Sequence, residues 1–256
     1  MSARFVSESS RVNALFTMAG YGLSMNRAVS HHIFNPARLV LTMLVAVLAI
    51  ASLAMPQVAK AQSATIDWAN AGVVSQATFP SGTVVTGSDG TTATVTRTVT
   101  TEGAGTFLPA FAPDYLSYFS GTIGGAASPL LLSFDNSSYD PRDKITVTIV
   151  LNRSVRNLSF SLGDIDSGDF ADAVEVYYDD DLSGAYSNAA TNTAFWTVGS
   201  AVARTNNSTV NGWRGTANSE TAATNGNVNL NFGTQQVRRI RIVYFSYTGT
   251  GDPTGQ

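Results

Sequence analysis

The chain contains no cysteine, and its two histidines, His31 and His32, both lie near the N-terminus. Without cysteine there is no disulfide, no thiolate metal site and no lipid-modified N-terminal cysteine. If residues 1–61 are removed, as argued next, no histidine remains, which excludes a Ser-His-Asp or Cys-His catalytic pair. Only metals that prefer oxygen ligands, such as calcium, remain as candidates.

A basic flank and an apolar run mark residues 1–61 as a signal peptide with a long basic N-terminal region. Arg38 precedes an uncharged apolar run over residues 39–55, and the small-residue motif Ala59-Lys60-Ala61 follows it. A retained membrane anchor is the alternative, but a spanning helix needs about 20 apolar residues and this run is shorter. We therefore expect a helical signal segment, cleavage after Ala61, export, and contact with the membrane only through that segment.

Residues 62–256 then form an acidic chain of 195 residues (256 − 61), a length suited to one β-domain. Removing the five basic residues and one acidic residue of the leader leaves 10 basic (15 − 5) and 17 acidic (18 − 1) residues, a net charge of −7. Lys144 is the only lysine left. This balance argues against binding nucleic acid or an anionic membrane through bulk charge.

Short runs of Thr, Val, Ile and aromatic residues recur between Gly, Asn, Asp, Ser and Pro, and no stretch keeps a helical period. Residues 65–68 are a candidate first strand, and Asp89-Gly90 predicts a hairpin between strands at 83–86 and 92–100. About nine or ten such runs are present, which is typical of a sandwich. The sequence predicts an all-β fold, a two-sheet antiparallel β-sandwich of jelly-roll type, as a single domain over residues 62–256.

The stretch from Asn157 to Val176 is the most site-like part of the chain, because it reads as a strand, an acidic loop and a second strand. Its candidate metal ligands are Asp164, Asp166, Asp169 and Asp172, which stand at positions 1, 3, 6 and 9 of a window that ends with Glu175 at position 12. Clustered carboxylates repel one another unless a cation or water screens them. The loop is therefore a candidate β-hairpin calcium site. Solvated turn acids are the other interpretation, and the sequence slightly favours it because no carbonyl ligand can be identified.

Three aromatic residues are candidates for a platform on which a sugar ring stacks, namely Trp196, Trp213 and Tyr118. Tyr118 belongs to an aromatic-rich stretch over residues 107–119, for which core packing is the favoured interpretation.

Two further patterns have simple explanations as solvent-facing strands. Threonines alternate along 92–100, which suits a surface for a crystalline polymer but also an ordinary exposed strand face. Arg238, Arg239 and Arg241 form a basic cluster beside Ile240 and Ile242, which favours the outer face of a strand over a polyanion site.

Residues 129–256 resemble a module near the N-terminus of large secreted and cell-surface proteins of Gram-negative bacteria, which often continue into Ig-like repeats. The resemblance rests on the stretch 152–166 that ends in Asp164-Ile165-Asp166, on the strand 172–176 that follows, and on a late strand over 237–247 after the Asn-rich stretch 225–232. It implies a β-sandwich and surface display, and it brings no catalytic residues. Members of that family continue into one further strand, so we expect this chain to be truncated at its C-terminal strand.

Together these features predict a non-catalytic structural or adhesion module, extracellular or at the cell surface, whose partners are surface or matrix components or glycans. A lectin-like carbohydrate-binding module, with or without calcium, is the alternative, and a polysaccharide hydrolase is the third candidate.

Overall fold

The computed structural model describes residues 65–103, 107–108, 115–136, 140–168, 170–249 and 254–255. The predicted signal segment lies outside these residues. Within them are three short 3-10 helices, at Trp68–Ala71, Ala189–Thr191 and Thr193–Phe195. The strands are β1 (Thr83–Thr86), β2 (Thr92–Thr101), β3 (Phe107–Leu108), β4 (Leu116–Tyr118), β5 (Thr122–Ile123), β6 (Ala126–Ala127), β7 (Leu130–Leu132), β8 (Phe134–Asn136), β9 (Asp143–Val155), β10 (Ser159–Leu162), β11 (Phe170–Asp179), β12 (Ser187–Asn188), β13 (Trp196–Val198), β14 (Val202–Asn206), β15 (Asn211–Gly215), β16 (Val228–Asn231), β17 (Val237–Gly249) and β18 (Thr254–Gly255).

The larger sheet has eight strands. Seven follow the order β1-β2-β9-β17-β11-β15-β14, and the eighth, β12, pairs with β11 outside this order. Every pairing in it is antiparallel. Strand β9 shows why these residues form a strand, because Ile145, Val147 and Ile149 are buried while Thr146 and Thr148 are half-buried on the other face. Successive side chains of a strand point to opposite faces, so one face of the sheet is apolar and must be covered.

A second layer covers that apolar face. It contains the three-stranded sheet β10-β16-β13 and the pair β4-β7. Phe160 and Leu162 of β10 join one core with Val174 and Val176 of β11, which belongs to the larger sheet. The predicted all-β antiparallel sandwich is therefore confirmed. Its largest fully buried side chains are Trp68, Trp213, Phe79 and Phe232, and each such side chain contributes about 1.5–3 kcal/mol by leaving water.

The outer face of the larger sheet carries the predicted arginine and threonine patterns, together with a small apolar cluster of Ala173, Val210, Val243 and Phe245. The guanidinium of Arg241 stacks between the rings of Tyr177 and Tyr186, at 4.5 and 4.1 Å from their centroids. Thr96 and Thr98 of β2 are exposed beside this region. Both patterns are therefore outer strand faces, as the sequence indicates.

The predicted hairpin around Asp89-Gly90 is confirmed, since β1 pairs with β2 and Gly90 takes a positive φ of 78°. The predicted strand at 65–68 is wrong. Trp68 instead starts a 3-10 helix, capped by the Asp67 carboxylate, which accepts the Ala69 N–H at 3.0 Å. This helix places the Trp68 ring edge-on against Phe79, with 6.3 Å between centroids.

The predicted hairpin over residues 157–176 is also wrong, because its two strands lie in different sheets. Strand β10 pairs with β16, whereas β11 pairs with β17, β15 and β12. Both strands bury one face in the same core from opposite sides, so the connecting loop crosses the edge of the sandwich. At the other end of the chain, β18 pairs with β8.

No helix within the described residues is long and apolar enough to span a membrane.

Candidate functional site

The acidic loop between β10 and β11 brings three of the predicted metal ligands to the edge of the core. Asp164 lies just past β10 with φ 63°, in the left-handed region that aspartate tolerates better than most residues. The backbone N–H of Ser219 donates to the Asp166 carboxylate at 2.7 Å. Asp169 lies outside the described residues. The loop is thus held against the segment 217–226 rather than extended into solvent, as its bonds to Ala217 and Gly226 also show.

Asp172 is the most deeply buried acid of the loop, with 3 % of its surface exposed. A bulge between Ala171 and Asp172 sets it opposite Ser246 on the inner face of the sheet. Its carboxylate accepts the Tyr244 hydroxyl at 2.6 Å and the Asp166 N–H at 3.2 Å. These two donors satisfy the carboxylate in part, because a carboxylate has about four acceptor sites.

Burial raises the pKa of Asp172 well above the usual carboxyl range, and the nearby charges of Asp166 and Asp164 add to this rise. The hydrogen bonds from Tyr244 and Asp166 act in the opposite direction. Burial also raises the pKa of Asp164 and Asp166, in the first case with help from the charge of Asp166. The three carboxyls therefore destabilise one another when all are ionised, and either a proton or a cation relieves that repulsion.

Among the described residues, only Asp179, Asp180 and Asp181 bring carboxylate oxygens within 4.8 Å of one another as a set of three. That set is already compensated: Asp179 accepts the N–H groups of Leu182 and Gly184 at 2.9 and 3.0 Å and pairs with Arg239. Burial opposes ionisation, but these hydrogen bonds hold the pKa of Asp179 well below its usual range. A calcium ion in the acidic loop would need Asp164, Asp166 and Asp172 to draw closer together.

The calcium prediction is tested by melting the protein with millimolar CaCl₂ and with EDTA. A cation bound only to the folded state at 100 times its Kd would stabilise it by about 2.7 kcal/mol, so we expect a higher midpoint with calcium. Asp166→Asn should abolish the increase, and Asp181→Asn, in the compensated set, should retain it. An unchanged wild-type midpoint in calcium would eliminate the metal site.

The three aromatic residues predicted to stack on a sugar do not form a platform. Trp213 is fully buried and Tyr118 is 8 % exposed. Trp196 is half-buried and meets Trp213 edge-on, with 5.7 Å between ring centroids. Trp213 and Tyr118 are therefore core residues whose rings are not open to solvent. Large aromatic side chains fill a core as readily as they line a binding surface.

A polar cleft of about 640 Å³ lies instead at the end of the smaller sheet. We call it the amide cleft, and it is lined by Arg156, Asp180, Asn192, Ala194, Phe195, Asn231, Phe232, Gly233, Thr234, Gln235 and Gln236. Its size falls within the range of about 300–1,000 Å³ that is usual for ligand clefts. Four of its side chains are hydrogen-bonding amides and two are aromatic rings, of which Phe195 is half-buried and Phe232 fully buried.

Two of these amides are fixed by the backbone in a definite orientation. The N–H of Gly233 donates to Oδ1 of Asn231 at 3.0 Å, and the N–H of Ala194 donates to Oδ1 of Asn192 at 3.1 Å. Because a backbone N–H can only donate, the atom that it meets must be the amide oxygen. Each amide nitrogen therefore remains as a pair of donors, and neither has an acceptor among the described residues.

Local structure explains how these groups are positioned. Asn192 caps the 3-10 helix Thr193–Phe195, and Asn231 ends β16, where Val228 and Leu230 point into the core and the asparagines point out. The Phe195 ring packs against Phe232 and remains half-buried at the cleft, with 5.2 Å between centroids. The guanidinium of Arg156 donates to the Thr234 carbonyl at 2.8 Å and so holds the turn after β16, which forms one wall of the cleft.

Sequence reasoning missed Asn192, Phe195, Asn231 and Gln235 as site residues. The alternation of apolar residues with Asn229 and Asn231 is the one signal that could have suggested them. Comparisons with protein-family models, curated proteins and solved structures found no match to the chain. The amide cleft and the acidic loop are therefore the basis for any functional proposal.

Proposed function

We propose that this chain is a non-catalytic adhesion module displayed outside the cell, and that it adheres by binding carbohydrate. The observation that carries the proposal is the amide cleft, in which the amide nitrogens of Asn192 and Asn231 are fixed as donors. Sugar hydroxyls and ring oxygens accept such hydrogen bonds. Because these side chains are already oriented, little conformational entropy is lost when a ligand binds.

The rest of the cleft lining suits the same ligand. The amide nitrogen of Gln235 donates a hydrogen bond to the Gln236 carbonyl oxygen at 3.0 Å. The amide oxygen of Gln235 can therefore accept a hydrogen bond from a sugar hydroxyl. The half-buried ring of Phe195 supplies an apolar surface for the C–H groups of a pyranose. One arginine and one aspartate line the cleft, so its formal charge is balanced.

The composition of the cleft favours binding over hydrolysis. Most glycosidases need two carboxyl groups about 5–9.5 Å apart, on either side of the scissile bond. Asp180 is the only carboxylate among the described residues that line the cleft. The chain also lacks cysteine, and its histidines precede the predicted cleavage site after Ala61. These features support a module that holds a glycan without cleaving it.

Export and surface display are supported by the signal-like segment over residues 1–61 and by the resemblance to bacterial surface modules. Surface polymers and matrix are the partners that an exported adhesion module would meet. The acidic balance of residues 62–256 supports such partners over nucleic acid.

The proposal is tested by applying the protein to an array of immobilised glycans, followed by titration of the strongest ligands in solution. We expect saturable binding that Asn231→Ala weakens about 3- to 10-fold, the effect of losing one or two uncharged hydrogen bonds. Asn206→Ala is the matched control, because Asn206 is also exposed but lies on β14 of the larger sheet.

Two outcomes would overturn the proposal. One is the absence of saturable binding to any glycan, and the other is equal binding by wild type and Asn231→Ala. Release of reducing ends from a bound polysaccharide, abolished by Asp180→Asn, would support the hydrolase instead. Thermal melting of each variant separates a lost contact from a lost fold.

A further inference from the structure

A second, smaller cleft adjoins the amide cleft on the outer side of the smaller sheet. It has a volume of about 330 Å³, and Ala126, Ser159, Ser161, Asn229 and Asn231 are among the residues that line it. Asn231 lines both clefts. The two clefts therefore meet at this residue, and we call the pair, which follows β16 and its C-terminal turn, the groove.

Strand register explains the polar surface of the second cleft. Ser159 lies opposite Asn231, and Ser161 lies opposite Asn229, in the antiparallel pair β10–β16. Their neighbours Phe160 and Leu230 are buried, so these four polar side chains share the solvent face. The surface thus has two cross-strand rows, each made of one serine and one asparagine.

Asn229 is also held at one atom of its amide, here by a serine hydroxyl, which can donate or accept, rather than by a backbone N–H. Its Oδ1 accepts the Ser161 hydroxyl at 2.6 Å, which leaves its amide nitrogen without an acceptor among the described residues. Asn229 and Asn231 are both exposed and are two residues apart on β16, a separation of about 7 Å along a strand. The groove therefore presents a row of amide groups, each with one atom open to a ligand, that continues beyond the amide cleft.

The second cleft adds no charge to the groove, because no Asp, Glu, Lys or Arg is among the residues that line it. In the amide cleft, Arg156 and Asp180 balance each other in formal charge. A polyanionic chain would find no cationic row to follow, whereas an uncharged chain brings no charge that needs a partner.

Building on the proposed function, we infer that the ligand is an uncharged glycan chain that runs from the amide cleft across Asn231 into the second cleft, rather than a single terminal sugar. The amide cleft holds one part of the chain, Asn231 binds at the junction, and Asn229 and Ser161 bind the continuation.

The test measures dissociation constants for cello-oligosaccharides and chito-oligosaccharides, from monosaccharide to hexasaccharide, with wild type and variants. The two series share a β-1,4 linkage and differ in their acetamido groups, so they separate the two kinds of uncharged chain. We expect affinity to rise about 10-fold or more with length in at least one series, since each added sugar that reaches the second cleft adds hydrogen bonds.

Two variants distinguish binding in the second cleft from binding in the amide cleft. Asn229→Ala should weaken binding of long chains about 3- to 10-fold and leave short sugars unchanged, whereas Asn231→Ala should weaken both. Asn206→Ala should match wild type. Tighter binding of polygalacturonate than of both uncharged series would overturn the uncharged ligand.

Failure of the chain inference differs from failure of the proposed function. Binding that is sensitive to Asn231→Ala but independent of chain length, or equal for wild type and Asn229→Ala, overturns the chain inference alone. Absence of binding in both series, together with absence of binding to every arrayed glycan, overturns both.

Discussion

Replacing Trp213 by alanine is expected to lower the free energy of unfolding by about 3–5 kcal/mol, the usual cost of removing a buried aromatic side chain. Trp213 is fully buried, lies opposite Val174 in the register of β11 and β15, and contacts Trp196. The substitution therefore leaves a cavity in the core rather than an emptied binding surface. Urea denaturation followed by circular dichroism measures the loss.

The matched comparison is Trp196→Ala. Trp196 is half-buried on β13, an edge strand of the smaller sheet, so its removal should cost clearly less than removal of Trp213. A Trp213→Ala protein of unchanged stability that has lost glycan binding would contradict the core assignment and restore the sequence-based prediction of a stacking residue.

Asp172→Asn is expected to make the protein more stable than wild type at neutral pH in the presence of EDTA. Burial raises the pKa of Asp172 in the folded state above its unfolded value. Protonated Asp172 therefore stabilises the folded state fully at a pH below its unfolded-state pKa. That stabilisation is lost as the pH rises from the unfolded-state pKa through the folded-state pKa. Asparagine cannot ionise, so the variant avoids that loss.

Part of the gain is offset by a lost acceptor. The Tyr244 hydroxyl keeps a partner in the amide oxygen, but the Asp166 N–H, which lies 3.2 Å from the carboxylate, would meet an amide nitrogen. Losing this long hydrogen bond costs about 1 kcal/mol, and we expect the gain from removing a buried charge to exceed it. Denaturation of both proteins in EDTA at pH 4 and pH 7 checks the sign. At pH 4 the gain from removing the charge should disappear, so that the variant is about 1 kcal/mol less stable than wild type. A variant less stable than wild type at pH 7 would contradict the account.

The same substitution connects stability with the calcium prediction. If calcium binds the acidic loop, it supplies the positive charge that three closely placed carboxylates lack. Wild type would then gain stability from millimolar calcium, and Asp172→Asn would gain less. The two effects have opposite signs, so measurements in EDTA and in calcium separate them.

Much of the fold follows from local sequence pattern, because alternation reports which face of a strand is buried. The residues 145–151 and 239–245 show this alternation, and both lie in strands of the larger sheet, β9 and β17. Alternation does not report which strand pairs with which. Phe160 lies opposite Leu230, 70 residues later (230 − 160), and no local signal distinguishes that partner from the nearby strand β11. The predicted acidic hairpin is wrong for this reason.

The binding surfaces depend even more on distant parts of the chain. The alternation of Asn229 and Asn231 with buried neighbours predicts that these asparagines face solvent. The cleft beside them also needs the 3-10 helix that ends at Phe195 and the turn after β16. Likewise, the acidity of residues 164–172 is visible in the sequence, whereas the burial of Asp172 against Tyr244 results from the pairing of β11 with β17.

The most direct test of the central claim, that the amide cleft binds an uncharged glycan, is a titration of ¹⁵N-labelled protein with the best-binding oligosaccharide, followed by amide chemical shifts. The largest shifts are predicted at Gly233 and Ala194, whose N–H groups hold the oxygens of Asn231 and Asn192. Long chains should also shift signals around Asn229. Saturable shifts confined to the threonine face of β2 or to the surroundings of Trp196, with none at Gly233 and Ala194, would contradict the account.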